Sequence, residues 1–215
     1  MVALVTVVQR EIMTNRTVSG FVLAGGKSSR MGRDKAMLEI DGEPLIARAA
    51  RLVNSVLGEA AVIGPISGYE KLGLEIIADD FPGYGPLGGI ATALHVSRKP
   101  WNLVIACDLP HLTKSWLKYL VQRALKSAAD AVVPMNVRGP EPLCAMYHKN
   151  AEVRIRAAVE GGMRKVTDSF ATLAVEHVEP SEWKGFASGG LLFKNVNSPA
   201  DYEEAKARLS KQKKS

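Results

Sequence analysis

Short apolar runs alternate along the chain with stretches whose apolar residues recur at helical spacing. Val18–Leu23 is an apolar run that ends in a glycine loop, the pattern of a buried strand. Pro44–Leu57 predicts a helix: Pro44 stands in its first turn, and Leu45, Ile46, Ala49, Leu52, Val53 and Val56 share one face. Ala60–Ile63 and Leu74–Ala78 predict short strands, Leu87–Val96 a helix opening after Gly85-Pro86, and Leu103–Ala106 a buried strand. Thr113 predicts an N-cap for a helix running through Ala128, and Ala131–Pro134 another strand. Further on, Leu143–Tyr147 and Leu173–Val178 predict strands and Asn150–Val159 a helix capped by Asn150. Ser198-Pro199 opens a final helix, with Asp201 three residues after the Ser198 cap. This order predicts an α/β fold: a three-layer α/β/α arrangement around an open, mostly parallel, Rossmann-like sheet. No linker interrupts it, so residues 1–215 read as one domain, with 1–17 an N-terminal extension and 205–215 a basic tail. The alternation in Ala3–Val8 also suits an edge strand, and the pattern alone leaves that choice open.

Composition narrows the function. A chain of 215 residues buries roughly 70% of its unfolded surface and needs no staples. Cys107 and Cys144 stand 37 positions apart, with no C-x-x-C and no paired Cys/His spacing, which argues against a structural zinc site. Such sparse cysteine fits a reducing cytoplasm. No apolar run approaches the roughly 18 residues of a membrane span, and Met1–Val8 lacks the features of a signal peptide. The net charge is 28 − 22 = +6. Lys206, Arg208, Lys211, Lys213 and Lys214 supply five of those six charges from the tail, where no acid offsets them. The near-neutral remainder argues against a nucleic-acid-binding face.

Three stretches carry candidate chemistry. The first is L-A-G-G-K-S-S-R-M-G-R-D-K, Leu23 to Lys35. Gly25 and Gly26 let the backbone turn sharply and bring N–H groups near an anion, and Arg30 and Lys35 add two cations five residues apart. These parts suit a triphosphate cradle, yet neither the P-loop nor the Rossmann glycine pattern occurs. The second is Asp79-Asp80, which leads into the glycine-rich Gly83–Gly89 stretch, suited to close approach of a base and ribose. The third is Asp108 in A-C-D-L-P, a carboxylate directly after a strand and a natural Mg²⁺ ligand alongside substrate phosphates. In open α/β sheets ligands bind beyond the carboxyl ends of the strands, so one crevice holds all three. His95, His111, His148 and His177 show no metal spacing, and no Ser/His/Asp or Cys/His nucleophile arrangement occurs.

The motifs L-A-G-G-x-S-x-R-M-G-x-D-K, D-x-x-x-x-x-G-P-L-G-G and C-D-L-P resemble those of the molybdenum cofactor guanylyltransferases, nucleotidyltransferases of the glycosyltransferase-A-like fold. The resemblance continues in E-P-L-C-A-M-Y (141–147), G-G-M-R-K-V (161–166) and N-V-N-S-P (195–199), and spans about Ser19 to Tyr202. It implies that Leu23, Ala24, Gly25 and Gly26 bind GTP through the backbone, that Lys35 contacts the phosphates and steadies the transition state, and that Arg30 helps hold the triphosphate and the leaving pyrophosphate, so that Arg30, Lys35 and Asp108 are the catalytic candidates. It further implies that Asp79 binds the guanosine, that Asp108 holds Mg²⁺, and that Asn197 lies near the metal or the pterin. GTP and molybdopterin would be the substrates, with other cofactor-biosynthesis proteins and molybdoenzyme chaperones as further partners. Arg164 and Lys165 are candidates for the acceptor's phosphate, as an alternative to a solvated loop. One departure stands out: an asparagine that often follows the second strand in the family is replaced by Gly64-Pro65, so that contact is missing or supplied by backbone. The alternatives are a cytidylyltransferase or sugar-1-phosphate nucleotidylyltransferase on the same fold, or a non-catalytic nucleotide-binding maturation partner.

Overall fold

β1 (Val18–Leu23) forms over the whole predicted run and, at the centre of a sheet, is covered on both sides. Val18 and Val22 face one layer of helices and Phe21 the other, the period-two split that a central strand requires. The computed structural model describes residues 16–25, 34–187 and 190–212. Within them, β1 is followed by the two-residue strands β2 (Glu39–Ile40) and β3 (Glu43–Pro44), which pair as a hairpin. Helix α1 (Leu45–Leu57) comes next, then β4 (Ala61–Ile63), β5 (Glu75–Ile77), α2 (Gly85–Val96) and β6 (Trp101–Ala106). The second half contains α3 (Lys114–Ala124), β7 (Ala131–Asn136), β8 (Gly139–Pro140), β9 (Cys144–His148) and α4 (Glu152–Glu160). It ends with the single-turn α5 (Val166–Ser169), β10 (Val175–Val178), the single-turn α6 (Pro180–Trp183) and α7 (Pro199–Gln212).

The sheet order is β10-β7-β9-β6-β1-β4-β5, with β8 paired to β7. All pairings along that order are parallel except those of β9, which runs antiparallel to both β6 and β7. The predicted open, mostly parallel sheet is therefore present, with one reversed strand in the middle of its second half. α1 and α3 cover one face, where Trp116, Trp183 and Phe193 lie among the buried residues. α2 and α4 cover the other through Leu87, Ile90, Leu94, Ile155 and Val159. A third, smaller cluster joins the β2–β3 hairpin to α7 through Ile40, Val196, Ala205 and Leu209. On α1, Leu45, Ile46, Val53 and Leu57 are fully buried; at roughly 2 kcal/mol for each large apolar side chain, this face anchors the helix. Gly58 ends it in a left-handed conformation.

Element ends differ from the pattern where side chains intervene. α3 is capped by Thr113 as predicted, its Oγ1 accepting from the Trp116 amide at 3.2 Å. It stops at Ala124 rather than Ala128, because Ser127 turns aside to donate to Glu176 and accept from the Ala129 amide. The helix predicted from Asn150 begins with a 3₁₀ turn, and its cap is His148, whose Nδ1 accepts from the Asn150 amide. At α7, Ser198 Oγ accepts from the Asp201 amide while Asp201 Oδ2 accepts from the Ser198 amide, the predicted reciprocal cap. Among the described residues no helix is long and apolar enough to cross a membrane.

Candidate active site

The sheet's ladder extends one residue past β6, β1 and β4 at their carboxyl ends. The Cys107 amide donates to the Leu23 carbonyl (3.2 Å), the Ala24 amide to the Ile63 carbonyl (2.9 Å) and the Gly64 amide to the Ile77 carbonyl (3.0 Å). Leu23 and Ala24 thus leave β1 from a fixed platform, and Gly25 follows at φ +120°, a backbone conformation that side chains rarely adopt. Gly26 and Arg30 lie outside the described residues. Gly64, where the resemblance leads one to expect an asparagine, is packed so tightly that a Cβ there would lie 2.3 Å from the Ala24 carbonyl oxygen. This position leaves only backbone for a ligand.

Three segments far apart in sequence meet beyond β6. Lys35 opens a 3₁₀ turn, Lys35–Met37, capped by Asp34, whose Oδ1 accepts from the Ala36 amide at 2.9 Å. Its Nζ donates to Asn197 Oδ1 at 2.7 Å and stands 4.0 Å from Asp108 Oδ2. The Val196 amide donates to the Asp108 carbonyl at 2.9 Å, tying the N-V-N segment to the metal candidate. Asp108 is largely buried; burial raises its carboxyl pKa and the Lys35 charge opposes that rise. Its Oδ1 is buried and has no hydrogen-bond partner among the described residues. An orphaned, buried carboxylate oxygen suits a cation that phosphates complete, since Mg²⁺ usually takes one or two carboxylates and keeps its remaining positions for phosphate and water. Among the described residues no three His, Cys, Asp or Glu side chains group to hold a metal by themselves.

Asp79 stands elsewhere, two residues past β5, three strand spacings or roughly 14 Å across the sheet from β6. Its Oδ1 accepts from the Phe81 amide (3.0 Å) and lies 2.8 Å from Thr92 Oγ1, which in turn accepts from the Asp80 amide (3.0 Å). Thr92, on α2, therefore fixes the whole turn. Arg164 lies over the Tyr84 ring at 5.8 Å, beside the start of α2, while Lys165 is exposed and 3.7 Å from Asp168. Lys35, Asp108 and Asn197 are thus one cluster and Asp79 a second, on opposite sides of β1 and β4.

Two positioning residues carry no motif. Tyr69 is 1% exposed and donates to Asp34 Oδ2 at 2.6 Å, anchoring the cap beneath Lys35. Burial, then the Asp34 bond, raises its pKa, so the phenol remains a donor at neutral pH. Thr92 is the other. Neither residue belongs to a motif or spacing that marks it in the sequence.

Residues 20–177 match the model of the MobA-like NTP transferase domain. The chain is 32% identical, over 87% of its length and 91% of the relative's, to a protein from Pelotomaculum thermopropionicum described as a probable molybdenum cofactor guanylyltransferase. It also resembles the crystal structure of molybdopterin-guanine dinucleotide biosynthesis protein A from Archaeoglobus fulgidus, with a TM-score of 0.79, 28% identity, and coverage of 90% of this chain and 99% of that one. A CMP-2-keto-3-deoxy-manno-octonic acid synthetase shares the fold alone, with a TM-score of 0.71, 14% identity, and coverage of 91% and 99%.

Proposed function

The chain belongs to the MobA-like NTP transferase family, and from that premise we propose that it transfers GMP from GTP to the terminal phosphate of molybdopterin, releasing pyrophosphate. The observation that carries this reading is the convergence of Lys35, Asp108 and Asn197, drawn from three separate motifs, at the carboxyl end of β6. Leu23, Ala24, Gly25 and Gly26 would hold the triphosphate through backbone atoms, with Arg30 beside them, and Asp79 the guanosine. The acceptor phosphate is already ionised, so no general base is required. Catalysis then consists of alignment and charge neutralisation at the α-phosphorus. Lys35 Nζ would donate to phosphate oxygens as charge builds on the departing pyrophosphate. Asp108 would hold Mg²⁺, which when bound neutralises phosphate charge. One nucleotidyltransferase domain acting in the cytoplasm, with no membrane or nucleic-acid partner, completes the reading. Other cofactor-biosynthesis proteins and molybdoenzyme chaperones are its proposed partners.

Thermal shift with GTP, CTP, ATP and UTP, each with Mg²⁺, tests the nucleotide assignment. GTP at 100 times its Kd should add about 2.7 kcal/mol of stability. A shift with CTP instead of GTP would overturn the guanylyl reading.

A further inference from the structure

The E-P-L-C segment, Glu141 to Cys144, has no role in the site described so far. Cys144 is the register partner of Ile105, and the Ala106 amide donates to the Leu143 carbonyl at 2.8 Å. Glu141 stands three residues before Cys144 and Asp108 three residues after Ile105. Because β9 is antiparallel to β6, both leave the same end of the sheet from neighbouring strands. Asp79 lies on one side of Asp108 in the sheet order and Glu141 on the other.

Glu141 is held firmly. Its amide donates to the Pro134 carbonyl (2.8 Å), its carbonyl accepts from the Cys144 amide (3.2 Å), and Asn136 Nδ2 donates to its Oε1 (3.0 Å). Among the described residues its Oε2 accepts no hydrogen bond, and the side chain is only half-buried. The same region is bounded by α6 and by the segment that leads into α7. Trp183 Nε1 donates to the Met135 carbonyl at 2.7 Å, at the end of β7, and Val196 is tied to Asp108.

We propose that Glu141 is the specificity-determining residue for the acceptor, its carboxylate accepting from the adjacent ring N–H and exocyclic amino group of the pterin. The inference rests on the proposed acceptor and goes beyond it by naming the residue that reads it. A carboxylate offers about four lone-pair sites, so Oε2 and the remaining lone pair on Oε1 can meet that two-donor edge while Asn136 keeps its bond. Guanine carries an equivalent donor edge. Position separates the two: Glu141 lies on the side of Asp108 away from Asp79, within a strand spacing or two, roughly 5–10 Å, of β6. The proposed donor and acceptor each present this edge to a carboxylate, with the transferred phosphate between them.

The test is anaerobic steady-state kinetics with GTP and molybdopterin for the wild type, Glu141→Gln and Glu141→Asp. Glutamine keeps the shape and the Asn136 neighbour but sets an amide N–H₂ against the pterin donors. Its KM for molybdopterin should rise at least about tenfold, with the GTP KM changed by less than about twofold and partial recovery in Glu141→Asp. An unchanged molybdopterin KM, or a fall in kcat with both KM values unchanged, overturns the assignment. If Glu141→Gln does not fold, the aspartate variant decides: a shortened carboxylate raises the molybdopterin KM if Glu141 reads the pterin, and leaves it unchanged if not. No turnover by the wild type would instead overturn the acceptor reading, and this inference with it.

Discussion

Tyr69→Phe removes a single hydroxyl, the one that donates to Asp34 Oδ2 at 2.6 Å. A bond to a charged group contributes about 1.5–3 kcal/mol, but Asp34 is exposed and water can replace the phenol, so the expected loss is nearer 1 kcal/mol. Asp34→Ala costs more, for two reasons. It removes the cap on the Ala36 amide, about 1 kcal/mol, and it strands the Tyr69 hydroxyl, 1% exposed, at about 1–3 kcal/mol. The two substitutions are therefore strongly coupled: in the Asp34→Ala background, Tyr69→Phe should cost nothing or restore stability, because it deletes the stranded hydroxyl. Urea unfolding of the four proteins measures this cycle. The kinetic consequence follows from Lys35, which opens the turn that Asp34 caps. Tyr69→Phe should lower kcat by about fivefold, close to 1 kcal/mol, with the GTP KM little changed. Equal cost of Tyr69→Phe in both backgrounds, or an unaltered kcat, would show that the tyrosine is packing alone.

Asp108→Asn separates stability from activity. Burial raises this carboxyl's folded pKa above the unfolded value, so ionisation opposes folding; the penalty grows as pH rises through the window between the two values and is complete above it. The variant should therefore melt above the wild type at pH 7, by a margin that vanishes in acid, while turnover falls at least a hundredfold; a lower melting temperature at pH 7 would contradict the desolvation argument. Gly64→Ala places a Cβ 2.3 Å from the Ala24 carbonyl oxygen, and because that atom is backbone the loop must shift. A loss of about 1–3 kcal/mol with weaker GTP binding is expected from denaturation and thermal shift, and undiminished GTP binding would show that the Gly25 loop does not contact the nucleotide. Thr92→Val leaves the Asp80 amide without its acceptor and Asp79 with the Phe81 amide alone as donor. It should raise the GTP KM about threefold to tenfold with kcat nearly constant, and an unchanged KM would remove Asp79 from the nucleotide site.

The parallel half of the sheet was legible because its central strands are buried on both faces and so appear as continuous apolar runs, as in Val18–Leu23 and Leu103–Ala106. The cluster of Lys35, Asp108 and Asn197 was legible because each belongs to a motif directly after or before a regular element. The β2–β3 hairpin was not, since two-residue strands show no alternation; its one signal is Asp41-Gly42, both at positive φ as a tight hairpin turn requires. Tyr69 and Thr92 were missed for another reason. Their roles depend on side chains 35 and 13 residues away in sequence, and single buried residues without a motif carry no record of their partners. Helix ends shifted at Ser127 and His148, where a side chain captured a backbone or carboxylate partner that propensity does not describe.

The reversed strand β9 explains why the two halves of the site differ so much in legibility. Around β1, β4, β5 and β6 the chain reaches the crevice by leaving a strand, so every nucleotide candidate follows an apolar run and the rule for open parallel sheets locates it. At β9 the direction is inverted, and the residues at the crevice come before the strand. Glu141 then stands before an apolar run, in a motif of the resemblance but with no role that the rule for parallel sheets would give it. The inversion also has a structural consequence. A parallel strand beside β6 would bring another carboxyl-end loop beside Asp108, whereas here the short segment from β8 to β9, Glu141 to Leu143, stands there, and Trp183 of α6 is tied to the end of β7. On the proposed reading the acceptor would lie on the β9 side of Asp108 and the triphosphate along the side of Gly25 and Gly64, where Gly64 admits no side chain. The change in strand direction at β9 therefore marks the proposed boundary between nucleotide and acceptor, with Asp108 and Lys35 at the division.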